Sequence, residues 1–170
     1  MSTLIAETSA SRNMRAKLAP FAAIPLRLAV GYGFLVHGLA KWSKGPEAFA
    51  EILRATGVPQ AHVMAWVTIA TEILVGIAFL IGAFVSLASI PGIILLAVAI
   101  FTVHLPYGFS SIKLIGINNG KAQFGPPGYE CDLLYIACMV ALVLIGPSPW
   151  SLDRSLHSSP SSLNTNRGLS

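Results

Sequence analysis

Four long apolar runs dominate the chain, at positions 21–40, 63–84, 86–105 and 129–145. Each approaches the roughly 20 residues that cross a bilayer's hydrocarbon as a helix. The fourth is the shortest and needs its flanks to complete a crossing. Almost nothing separates the second and third runs around Gly82–Ser86, so they form a tight hairpin. The first loop, "KGPEAFAEILRATGVPQAH", opens with Pro46 after the glycine and spaces Phe49, Ile52 and Leu53 along one helical face. Gly57 and Pro59 stop that pattern, which predicts a short amphipathic helix lying in the interface. The third loop, "PYGFSSIKLIGINNGKAQFGPPG", is rich in Gly, Pro and Asn and is expected to rest on the membrane surface. The pattern predicts a polar tail over 1–20, a four-helix membrane domain over 21–156 and a disordered Ser-rich tail over 157–170.

Composition points the same way. Of the 170 residues, 54% are hydrophobic and 11% charged, with mean hydropathy +0.70. Soluble domains carry about 25% charged residues, so this chain lacks the charge to coat a soluble globule. The predicted class is an all-α membrane protein, an antiparallel four-transmembrane-helix bundle bounded by lipid. The net charge of +4 does not indicate nucleic acid, because the basic residues sit in tails, loops and helix ends, where they set topology. Arg12, Arg15, Lys17, Arg154 and Arg167 lie on the side of the termini, against Lys41, Lys44, Arg54, Lys113 and Lys121 on the long-loop side. The count is level. The dominance of the first helix favours cytoplasmic termini and a multi-pass protein of the inner (plasma) membrane. No A-x-A-like site follows the first apolar run, so that run is expected to stay as an uncleaved span.

Polar residues inside the apolar runs carry the candidate chemistry. "LRLAVGYGFLVHGLAKW" holds Arg27, His37 and Lys41. At about 100° per residue, Gly31, Phe34, Gly38 and Lys41 fall within about 40° of Arg27, and His37 about 80° away. This face of basic and small residues points into the bundle. The second run carries Glu72 between Thr68 and Gly76. A buried mid-membrane carboxylate needs a partner, and counting depth from the loop side predicts an Arg27–Glu72 ion pair. His37, Lys41, His104, Glu130 and Asp132 converge at the long-loop end with Tyr129 and Tyr135.

Each of these residues has a plainer alternative. Lys41 and Trp42 anchor a helix at the headgroups, His104 before Pro106 ends a helix, Asp132 faces loop water, and Arg27–Glu72 holds the bundle in register. Glu130 opens a span in either reading. The spacings match no metal motif, so no metal is expected. A haem between His37 and His104 would be non-covalent, since C-x-x-C-H is absent. Cys131 and Cys138 would lie about 10 Å apart along one helix, too far for a disulfide.

Taken together, "RLAVGYGFLVHGLAKW", "TEILVGIAFLIGAF", "AIFTVHLPYGF" and "GYECDLLYIACMVALVLIGPSPWSLD" resemble, in order, the helix signatures of the DoxX family of small four-helix membrane proteins. The resemblance covers about residues 21–156. It makes Arg27, His37, Lys41, Glu72, His104, Gly128, Tyr129, Glu130, Ser151, Leu152 and Asp153 family-type positions. The family is named for a subunit associated with a terminal quinol oxidase and with thiosulfate:quinone oxidoreductase. The resemblance therefore implies quinone-linked work in a membrane redox complex. Cys131 stands where an aromatic is common, and thiosulfate is not carried over as substrate.

The expectation is a subunit or accessory of such a complex, with His37, Lys41, His104, Tyr129 and Glu130 lining a polar pocket at the long-loop face and Arg27–Glu72 bracing it from below. No cofactor motif is evident, and quinone is the ligand that the pocket's donors suit. A protein partner or a homo-oligomer is implied. The alternatives are a non-enzymatic membrane scaffold or assembly factor and a small-solute permease.

Overall fold

A computed structural model describes residues 9–157, and side chains over 11–156. The rest of both tails, including the disorder expected after His157, lies outside the described residues. Helix α1 (Ser9–Leu18) runs through a 3-10 turn (Ala19–Ala22) into α2 (Ala23–Lys44), so much of the expected polar N-terminal tail is helical. Gly45, at φ 96°, breaks the chain before α3 (Pro46–Ala55). Then follow α4 (Ala61–Ile81) and α5 (Val85–Ala99), the latter extended by a π-helical turn (Ile100–His104) and a 3-10 turn (Leu105–Tyr107). A β-hairpin, β1 (Leu114–Asn118) and β2 (Lys121–Phe124), precedes α6 (Glu130–Ile145) and α7 (Leu152–His157). The chain is mostly helical as expected, and the third loop adds this hairpin, which Asn119 and Gly120 close with positive φ angles (50° and 72°), as a two-residue turn demands.

Among the described residues, three helices are long and apolar enough to cross a membrane: Ser11–Lys44, Ala61–Ile81 and Val85–Tyr107. The fourth expected span forms α6, of 16 residues, which packs along α5 and α2. The outside of the bundle is apolar. Leu74, Leu87 and Leu144 are each at least 65% exposed, as side chains facing lipid are. The core is Ala23, Val30, Phe34, Val75, Phe79, Met139 and Leu142, with Leu96 and Tyr135 against it.

Glycines set how closely the helices approach. A Cβ added at Gly76 of α4 would lie 2.6 Å from the backbone nitrogen of Leu35 on α2, and one at Gly31 would lie 2.9 Å from that of Leu80. Backbone therefore meets backbone, as small residues permit at membrane-helix crossings. A second core of Ala50, Leu53, Ala61 and Ala65 seats α3 on the start of α4. Outside it, Glu47 of α3 accepts from Arg54 and faces His62 Nδ1 of α4 at 2.7 Å. The Arg54 bond, helped by His62, holds the Glu47 carboxyl below its ordinary 4.5. A depressed acid stabilises the fold above its ordinary pKa, so this tie weakens as pH falls through the acid range.

Gly76→Ala should lower stability by about 1–3 kcal/mol, because the backbone of α2 must move to admit a methyl group. Gly116→Ala, where nothing lies within 4 Å, should leave the midpoint in place. Thermal unfolding in one mild detergent checks both.

Candidate functional site

The expected Arg27–Glu72 pair is not made. The α2–α4 register puts Arg27 level with Gly82, where a Cβ would lie 2.4 Å from Arg27 Nη1. Glu72 lies ten positions back along α4, about 15 Å at 1.5 Å per residue, beyond an arginine's reach. Its partner is Lys41. The reason is local. A Cβ at Gly38 would lie 3.0 Å from Glu72 Cβ, so α2 runs against α4 there, and Lys41 is three residues further along the same face. Phe49 of α3 covers the ammonium at 4.9 Å from its ring centroid. Glu72 is 5% exposed, and its Oε2 has no hydrogen-bond partner.

Arg27 instead locks the other end. Its Nη1 donates to Ser148 Oγ (2.8 Å) and its Nη2 to the Trp150 carbonyl (3.0 Å). Ser151 Oγ donates to the Ser148 carbonyl (2.7 Å). The Asp153 carboxylate accepts from the Phe84 and Val85 amides (2.6 and 3.0 Å), capping α5 from a distant segment. The Asp153 amide donates to the Gly82 carbonyl (3.0 Å). A cavity of about 20 Å³ remains among Arg27, Ser148, Ser151 and Asp153, enough for about one water.

The long-loop end divides its residues differently from the expected five-residue pocket. Lys41 is held by Glu72. Glu130 is consumed in a cap: its carboxylate accepts from the Ser111 amide (3.0 Å), while the Cys131 amide donates to Ser111 Oγ (3.0 Å). The Glu130 and Tyr129 amides donate to the Phe109 and Gly108 carbonyls (2.9 and 3.2 Å), so loop 108–111 satisfies the open start of α6. Tyr129 sits edge-to-face on Phe109, 5.6 Å between centroids.

His104 and Asp132 do come together. Asp132 on the first turn of α6 is buried at 9% exposure, not turned to loop water. His104 Nε2 lies 3.8 Å from Asp132 Oδ2, and His37, exposed on α2, acts on the same carboxylate electrostatically. Tyr135, one turn deeper, lays its ring edge-to-face on Phe34 at 6.0 Å and its hydroxyl against Gly33.

His104 closes the π-helical turn Ile100–His104, and such turns recur at functional sites. His104 Nδ1 is 3.1 Å from the Pro127 carbonyl. A carbonyl only accepts, so Nδ1 carries the hydrogen and Nε2 faces Asp132. A bare Nε2 opposite an ionised carboxylate would set two lone pairs against each other. Among the described residues no three or more His, Cys, Asp or Glu side chains are arranged to hold a metal ion.

The family model for DoxX matches residues 22–105. An uncharacterized membrane protein of Mycobacterium tuberculosis is 31% identical over 145 residues, covering 81% of this chain and 82% of that protein. The chain belongs to the DoxX family. No solved structure matches it. The DoxX match spans Arg27, His37, Lys41, Glu72 and His104, while Asp132, Glu130 and Asp153, which meet those residues or cap their neighbours, lie beyond it. In this DoxX chain the matched half and the remainder complete each other at both ends of the bundle.

Lys41→Met should destabilise by about 3 kcal/mol, since it leaves Glu72 buried and unpaired. Adding Glu72→Met should recover most of that loss. Asp153→Ala should cost about 1 kcal/mol by uncapping α5. Unfolding midpoints of the three variants in one detergent check these values, and a double variant less stable than Lys41→Met would contradict the pairing.

Proposed function

We propose that this DoxX-family protein is a subunit or accessory of a quinone-linked membrane redox complex, and that His37, His104 and Asp132 form its ligand-binding and proton-holding site. The observation that carries this reading is a buried carboxylate, Asp132, faced at 3.8 Å by the His104 imidazole from another helix, with His37 exposed on α2 at the same end of the bundle.

A quinone headgroup presents two carbonyl oxygens that require hydrogen-bond donors, and its reduction takes up two protons. His37, exposed on α2, offers a ring N–H toward the outside of the bundle. In this scheme His104 and Asp132, which face each other at 3.8 Å, are the groups that exchange a proton with the bound headgroup. Tyr135 supplies a hydroxyl one turn deeper. Lys41, Tyr129 and Glu130 act in this scheme as supports: Lys41–Glu72 fixes α2 on α4, and the Glu130 cap with the Tyr129–Phe109 contact fixes the start of α6. Electrons come from a protein partner, since the chain carries no recognisable redox motif of its own.

In this arrangement α6 is the fourth crossing helix. Its 16 residues span about 24 Å, and flanking Tyr129 and Pro147 extend it. Helix α3 lies in the interface, and α1, with Arg12, Arg15 and Lys17, stays on the cytoplasmic side of the inner membrane with both termini. The abundance of charges consumed in structural contacts favours one rival, a non-enzymatic scaffold whose polar residues lock the bundle and dock a partner.

Protein purified in mild detergent should retain ubiquinone or menaquinone, measured by mass spectrometry of the extracted lipid. His37→Ala with Asp132→Asn should retain about tenfold less or lower still, the effect of losing one or two charge-assisted hydrogen bonds. Absence of quinone from the native protein, or equal retention by an equally well-folded variant, would overturn the reading and leave the scaffold.

A further inference from the structure

The β-hairpin between α5 and α6 is two-faced. Its register pairs Asn118 with Lys121, Ile117 with Ala122, Gly116 with Gln123 and Leu114 with Phe124. Paired residues share a face and successive residues alternate. Asn118, Lys121 and Gln123 therefore lie on one side, and Leu114, Ile117, Ala122 and Phe124 on the other. A bulge at Ile115 makes this segregation possible. Unbroken alternation from Asn118 through Gly116 would put Leu114 on the polar side, and the extra residue turns it opposite Phe124.

Among the described residues nothing covers the apolar face. Leu114 is 63% exposed, Ile117 75% and Phe124 60%. A two-stranded hairpin is marginal in water by itself, so this one needs a surface to lie on. Its attachment supplies that surface. The hairpin leaves from Tyr107, the last residue of a span, and returns to α6. Its base is pinned by the Gly125 amide on the Lys113 carbonyl (2.9 Å) and the Gly128 amide on the Ser110 carbonyl (3.0 Å). These bonds zip the two sides of the loop together down to the helix ends, so the hairpin emerges beside them as one unit. Tyr107 and Phe109 stand exposed at its base, the residue type that marks the bilayer boundary, and Lys113 precedes β1 as a partner for headgroup phosphates.

We infer that the hairpin is a membrane-seated element: its apolar face, Leu114, Ile117, Ala122 and Phe124, lies in the lipid leaflet at the long-loop end, with Asn118, Lys121 and Gln123 turned to the headgroups and water. This assignment does not depend on the quinone reading. It bears on the polar site through Pro127, whose carbonyl holds His104. A hairpin seated in the leaflet fixes that carbonyl, and with it the imidazole, at the level where hydrocarbon gives way to headgroups.

The test uses the full chain in phosphatidylcholine–phosphatidylglycerol vesicles. In a Cys131→Ser, Cys138→Ala background, single cysteines are placed by Ile117→Cys, Phe124→Cys, Asn118→Cys or Gln123→Cys and given a nitroxide label. All four sites are exposed, so labelling does not disturb the core. Oxygen, enriched in lipid, and a water-soluble nickel chelate report the depth of each label. The oxygen-to-nickel accessibility ratio should be about threefold or more higher at 117 and 124 than at 118 and 123, as for an amphipathic element lying in the interface. High nickel access at all four would place the hairpin in water and overturn the inference. High oxygen access at all four would submerge it and overturn the two-sided seating. Loss of both probes at 117 with spin–spin broadening would mean that a second copy of the chain covers the face instead of lipid.

Discussion

The close approach of α2 and α4 sets the rest of the molecule. Gly31, Gly38 and Gly76 remove the side chains that would hold the two backbones apart. Hydrocarbon gives no hydrophobic reason for helices to associate, so close packing and polar contact must do it. Once the backbones touch, their register is fixed, and register decides which charge meets which. Lys41 falls beside Glu72 and Arg27 falls beside Gly82. The ion pair is thus a consequence of three missing side chains as much as of two charges. It also explains why α3 turns back after Gly45: Phe49 closes over the ammonium that the register has brought to the α2–α4 seam.

Both ends of the bundle are then closed by distant polar caps, built alike. At one end Asp153 caps α5 and Arg27 holds the Ser148–Trp150 segment. At the other, Ser111 and Glu130 satisfy each other's segments at the start of α6. A helix start in or near lipid cannot rely on bulk water for its free amides, so each is met by side chains or carbonyls from elsewhere in the chain. Asp153, Ser111 and Glu130 are used in this way. His104 and Asp132 face each other at the long-loop end without capping a helix, and His37 stands exposed on α2.

The sequence by itself determined three of the four expected spans, the tight α4–α5 turn, the α3 helix and the fact that charged residues cluster at helix ends, because apolar length and glycine or proline stops are local properties. The family motifs were legible as well. The hairpin carried a signal too, Asn119-Gly120, the usual mark of a two-residue turn. Only the tertiary structure decided partners. Arg27 and Glu72 looked level when depth was counted along each helix alone, but their separation depends on the relative slide of α2 on α4, which backbone contact at the glycines sets. Glu130 looked like a ligand-binding acid and is a cap, because the loop folds back to place Ser111 beside it. Asp132 looked water-facing and is buried, because the first turn of α6 faces His104 and not the solvent. Periodicity gives the face of a helix, and the slide of one helix along another is written in contacts that are distant in sequence.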